Sequence, residues 1–85
     1  MERYTAVFVE MNGSDIRSFG CMNGGKIFES KEDAWDEIMT DFEATRDSFP
    51  NAQTNVYKPG WHAELWDDAE NVKIVWEVQK MSSED

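Results

Sequence analysis

Two side chains in this 85-residue chain could in principle form a nucleophile and its base, Cys21 and His62. They are the sole cysteine and the sole histidine, and nothing in their spacing supports the pairing. A lone cysteine usually packs as a small apolar group. His62 falls on the polar side of a strand pattern, where a surface histidine without chemistry is the expectation. Metal binding has no Cys/His cluster to build on. The run Asp67-Asp68-Ala69-Glu70-Asn71 offers the hard oxygen donors that calcium takes, but it lacks the alternating ligands and the glycine of an EF-hand loop. It reads as a solvated hairpin turn. Gly24-Gly25 lacks the lysine and the further glycines of a phosphate-binding loop. No catalytic residue, metal ligand or cofactor is therefore assigned.

Carboxylates are the side chains present in number, and their chemistry is binding. Glu32, Asp33, Asp36, Glu37, Asp41, Glu43 and Asp47 fall within one stretch of helical periodicity. At 1.5 Å per residue they span roughly 22 Å, or about one charge per 3 Å. One DNA strand carries a charge about every 3.4 Å. In projection they take the half of the helix opposite Ala34, Ile38, Phe42, Thr45 and Phe49, with Trp35 and Met39 at the edge of the apolar side. Glu32/Asp36, Asp33/Glu37, Glu37/Asp41 and Glu43/Asp47 are like-charged i,i+4 pairs. Each destabilises a helix by a few tenths of a kcal/mol. A local cost without a local gain points to a use for the face. Glu32, Asp36, Glu43 and Asp47 are expected to meet Arg and Lys of a partner, flanked by Asp33, Glu37 and Asp41. Asp67, Asp68 and Glu70 of the acidic loop, with Trp66 beside them, form a second candidate surface.

The elements that carry these residues can be read in order. Residues 3–11 form a strand pattern, Asn12-Gly13-Ser14-Asp15 a turn, and Ile16–Met22 a return strand. A two-residue Asn12-Gly13 turn would set Glu10 against Asp15. A four-residue loop sets Glu10 opposite Arg17 and Phe8 opposite Phe19, which is the better cross-strand chemistry and the expected register. Lys26–Glu29 is a short strand or a lead-in. Ser30 with Asp33 three residues on resembles a capping box, and the apolar spacing predicts one helix at about 31–48, ended at Phe49-Pro50. Gln53–Tyr57 reads as a strand and Lys58-Pro59-Gly60 as a turn. Trp61–Trp66 and Asn71–Lys80 form a hairpin. With Asp67–Glu70 as its loop, Leu65 faces Val72, Ala63 faces Ile74 and Trp61 faces Trp76. Its polar face carries His62, Glu64, Lys73 and Glu77. Trp66 and Val75 fall on that face too, where a loop or the N-terminal strands are expected to cover them. The fold class is α+β: an antiparallel sheet of four to five strands in β-β-(β)-α-β-β-β order, with one amphipathic helix packed on one face. One domain spans 1–85, with a frayed tail at 82–85.

Composition narrows the partner. Acids outnumber bases 18 to 8, a formal net charge of −10. Direct contact with nucleic acid or an anionic membrane would work against Coulomb repulsion, whereas a basic protein is attracted. One cysteine allows no internal disulfide, and the apolar run Ala6–Val9 is too short for a signal peptide. The expected compartment is the cytoplasm. In size, acidity and layout the chain is similar to the small inhibitors encoded by phages and mobile elements, among them DNA-mimic antirestriction proteins and anti-CRISPR proteins. That resemblance implies a non-enzymatic inhibitor of a basic, nucleic-acid-handling protein. An immunity protein or antitoxin would use the same physics against a basic toxin. A structural or adaptor subunit would assemble instead through exposed edge strands.

Overall fold

The structure is a computed structural model and describes residues 3–81; the tail at 82–85 lies outside the described residues. Five strands, β1 (Arg3–Asn12), β2 (Asp15–Cys21), β3 (Gln53–Tyr57), β4 (His62–Asp67) and β5 (Val72–Met81), form one antiparallel sheet. One helix, α1 (Lys31–Ser48), lies between β2 and β3 in sequence. The spatial order is β2-β1-β5-β4-β3, so the two longest strands, first and last in sequence, pair near its centre. This is the expected α+β architecture, with five strands rather than four. The optional strand at Lys26–Glu29 does not form. A single bridge joins Phe28 to Tyr4, and the segment is a lead-in to the helix.

α1 begins and ends where its local chemistry dictates. The Ser30 hydroxyl accepts the Asp33 amide at 3.1 Å, satisfying one of the first-turn donors. At the other end Phe49 leaves the helical region ahead of Pro50, since a residue preceding proline is pushed out of it. The helix buries Ala34, Trp35, Ile38 and Phe42. Trp35, Ile38 and Phe42 pack with Ala6 of β1, Ala63 and Leu65 of β4, and Ile74 and Trp76 of β5, while Ala34 packs with Tyr4 of β1 and Phe28. Trp35 meets Trp61 edge-on at 6.0 Å, and Phe42 meets Trp76 edge-on at 5.5 Å. Such aromatic pairs add about 0.5–1.5 kcal/mol beyond their burial.

Both hairpin registers differ from expectation. In the first, the loop is Gly13-Ser14: Asn12 pairs with Asp15 and Met11 with Ile16, after which Arg17 bulges and Glu10 pairs with Ser18. Glu10 therefore opposes Ser18 rather than Arg17, and Phe19 opposes Val9 rather than Phe8. Two constraints explain this. Gly13 takes φ 67°, which suits the first central residue of a tight hairpin turn. Ile16 and Phe19 are three apart, so an unbroken strand would send them to opposite faces, and the bulge returns both to the face that carries Met11 and Val9.

In the second hairpin Ala63 pairs with Trp76, Leu65 with Ile74 and Asp67 with Val72, which moves the loop to residues 68–71. Asp67 is the reason: its Oδ1 accepts the amides of Ala69 (3.0 Å) and Glu70 (3.3 Å), and Asn71 closes the loop at φ 57°. The shift is of two positions, so the apolar and polar faces stay as expected. Trp61 sits just outside β4 at φ 53°, with its carbonyl accepting the Val78 amide.

α1 covers one face of the sheet only. The other face carries Val9, Val75, His62, Glu64 and Trp66, and no second layer packs on it among the described residues. The expected covering of Trp66 and Val75 is therefore absent, and both remain half-buried between neighbouring strands. Among the described residues no helix is long and apolar enough to cross a membrane.

Candidate partner-binding surface

The same periodicity that buries Ile38 and Phe42 turns Asp36, Glu43 and Asp47 outward, because residues about half a turn from the core stripe have nothing to pack against. Glu32, Asp33, Asp36, Glu43 and Asp47 are all exposed. The carboxylates of Asp33, Asp36, Glu43 and Asp47 have no ion pair or hydrogen bond among the described residues. Asp33 and Asp36 also line one wall of an open groove of about 530 Å³, whose other wall is Lys26–Glu29.

The other three helix acids are engaged. Glu32 pairs with Lys58 at 3.2 Å. Glu37 is half-buried, with Lys26 at 3.9 Å and the Asn23 side-chain amide donating to it. Asp41 is exposed, but its carboxylate is turned back toward the sheet. Its Oδ2 accepts the indole N–H of Trp76 at 2.9 Å, which satisfies the donor of that almost fully buried ring. Asp41 is a structural acceptor at the boundary of the core.

Among the described residues no base reaches Asp33, Asp36, Glu43 or Asp47, and the bases beside α1 also lie near aromatic rings. Lys31 sits 5.8 Å from the Tyr4 ring centre and 5.9 Å from that of Trp61. Lys58 is 5.7 Å from Trp61 and Arg46 is 5.8 Å from Phe42. Cation–π attraction of about 0.5–1 kcal/mol per exposed contact competes with ion pairing of similar size. The outcome is a helix face with a net negative field.

The acidic loop is less uniform than its sequence. Asp67 is buried, with its carboxylate spent on loop amides. Asp68 and Glu70 are exposed. Trp66 lies on the sheet face away from α1, beside a shallow cavity of about 350 Å³ that Asn71 and Lys73 also line. The helix acids and Trp66 thus lie on opposite faces of the sheet and do not form one surface.

His62 is half-buried on the sheet face away from α1 and sits among charged side chains. Its Nε2 lies 2.6 Å from Glu64 Oε2 and its Nδ1 lies 3.1 Å from Glu77 Oε2, while Lys73 approaches the other Glu64 oxygen at 3.7 Å. The hydrogen bond to Glu64 raises the imidazole pKa above 6.5, with Glu77 adding to it against a partial loss from burial. The bond to His62 in turn lowers Glu64. Period-two alternation already put these side chains on one face; the contact needed the register. Both ring nitrogens are occupied by carboxylates, so the ring has no free position from which to act as a base. Cys21 lies three strands away in the same row, roughly 14 Å at the spacing of a sheet. No group of His, Cys, Asp and Glu among the described residues is arranged to hold a metal ion. Comparison with protein-family models, curated proteins and solved structures returns no match.

Proposed function

We propose that this chain is a non-enzymatic inhibitor that binds a basic, nucleic-acid-handling protein in the cytoplasm and blocks its DNA or RNA site, in the manner of the antirestriction and anti-CRISPR proteins of phages and mobile elements. One observation carries the reading: Asp33, Asp36, Glu43 and Asp47 stand exposed along one helix with no ion pair among the described residues. A solvent-facing helix gains stability from interleaved lysines. This one leaves four acids without them: Lys58 and Lys26 pair with Glu32 and Glu37, and Lys31 and Arg46 lie near aromatic rings. Lysines and arginines that hold a phosphate backbone would be attracted to this row of carboxylates, giving fast, salt-sensitive association.

The test is affinity capture from a bacterial lysate, with elution by rising salt and identification by mass spectrometry. The expected result is a nucleic-acid-binding protein released at moderate salt and no longer captured by the D36N/E43Q/D47N variant. A partner that the triple variant holds unchanged would refute the helix as the binding surface. Recovery of a basic toxin would move the same surface to an immunity role.

A further inference from the structure

The sheet face away from α1 offers a surface of a different kind. It displays Ile16 and Phe19 of β2, 60% and 74% exposed, in rows with Met11 and Val9 of β1 and with Val75 of β5. The bulge at Arg17 puts Ile16 and Phe19 on this face together. Large apolar side chains gathered on one side of a two-layer fold, rather than scattered, mark a contact surface.

We infer that this face is the interface of a homodimer, in which two copies stack sheet on sheet with the helices outermost. The charge distribution favours a second copy as the occupant. Strand positions on this face hold two acids, Glu64 and Glu77, against two bases, Arg3 and Lys73, with His62 between the acids. The face is thus balanced in a chain whose net charge is −10, and it meets its own copy without local repulsion. Geometry removes the long-range repulsion as well. Packed layers are about 10 Å apart, so a helix–sheet–sheet–helix stack holds the two helices roughly 30 Å apart. That is several times the ~8 Å screening length at physiological ionic strength. The size is adequate too. Strands of ten, seven, five, six and ten residues, at ~3.3 Å per residue and ~4.8 Å between strands, give a flat area of roughly 600 Å². The accessible surface of such a corrugated face approaches the ~800 Å² per partner of a standard specific interface. In this arrangement both acidic helix faces remain free, so each dimer presents two.

Sedimentation velocity on the full chain tests this at physiological and at high salt. The expected species has twice the 9.9 kDa of the chain, and it tightens as salt rises, because apolar contact remains while residual repulsion is screened. Phe19→Asp should weaken association by at least ~100-fold, since each dimer loses two buried rings and gains two unpaired charges. The far-UV circular dichroism should be unchanged, because Phe19 is mostly exposed in the single chain. A wild type that stays monomeric at ~100 μM in high salt overturns the inference. So does a dimer that Phe19→Asp leaves intact, which would place the contact at a sheet edge. A monomer whose captured partner is lost with Phe19→Asp gives the face to a different protein and also overturns it. Loss of the D36N/E43Q/D47N effect would leave the dimer untouched, so the two readings fail separately.

Discussion

Neutralising Asp36, Glu43 and Asp47 together should make the protein more stable while removing its binding. The substitutions D36N, E43Q and D47N delete two like-charged i,i+4 contacts, Glu32/Asp36 and Glu43/Asp47, each worth about 0.2–0.5 kcal/mol. They also remove the Asp47 carboxylate from the last turn of α1, where the helix dipole opposes it by about 0.3–1 kcal/mol. None of the three side chains has an ion pair or hydrogen bond to lose among the described residues. Amide and acid have similar helix propensity, so the net gain is about 1 kcal/mol. In a chain of 85 residues that raises Tm by about 4–8 °C. Thermal unfolding followed by circular dichroism at low salt measures it directly. The gain should shrink in 1 M NaCl, where the screening length falls to about 3 Å. A triple variant no more stable than wild type at low salt would refute the premise that this face carries uncompensated repulsion. So would a gain that persists undiminished at high salt.

Two further outcomes follow from contacts that the helix projection and the strand pattern missed. Asp41→Ala should cost about 1–3 kcal/mol by leaving the buried Trp76 indole N–H without an acceptor, whereas Asp41→Asn, which retains a carbonyl oxygen, should cost less; urea unfolding of the pair checks this, and equal losses would show that the bond does not matter. For His62 the raised pKa means that its contribution is fully present below pH 6.5 and declines as the pH rises through the folded-state value. The lowered Glu64 pKa means that its contribution is present above 4.5 and lost as the pH falls through the folded-state value. The stability advantage of wild type over His62→Gln should therefore be greatest at pH 4.5–6.5 and fall away on either side. Unfolding titrations across pH 3–9 measure it, and a pH-independent difference would refute the coupling.

The helix was legible almost to the residue because three local signals agree: the Ser30 cap, the apolar repeat through Phe42, and Pro50 beyond the end. The β4–β5 hairpin was legible by face and not by register. Sliding it by two positions preserves every inward and outward assignment, so period-two patterning is blind to the choice. Asp67 made it, through loop amides that no periodicity encodes. The first hairpin was misread because a bulge changes the period within a strand. Of the candidate site, Asp33, Asp36, Glu43 and Asp47 stand outward as projected. Asp41 is exposed too, but it lies only about 60° round the helix from Ile38, so its carboxylate reaches Trp76, 35 residues later. Likewise, the pairing of β1 with β5 joins segments nearly a chain length apart and left no mark in local sequence.

That pairing has a consequence for how the chain is made. Arg3 lies opposite Met81 and Asn12 opposite Val72. A ribosome must therefore pass Val72–Met81, about 60 residues beyond β1, before the centre of the sheet can close. Until then, the N-terminal hairpin and α1 have no sheet wide enough to bury Ile38 and Phe42. Contacts of such sequence separation slow folding, because the loop entropy must be met before they form. The nascent protein would be open to proteases until β5 emerges, and closure of the sheet waits on that strand.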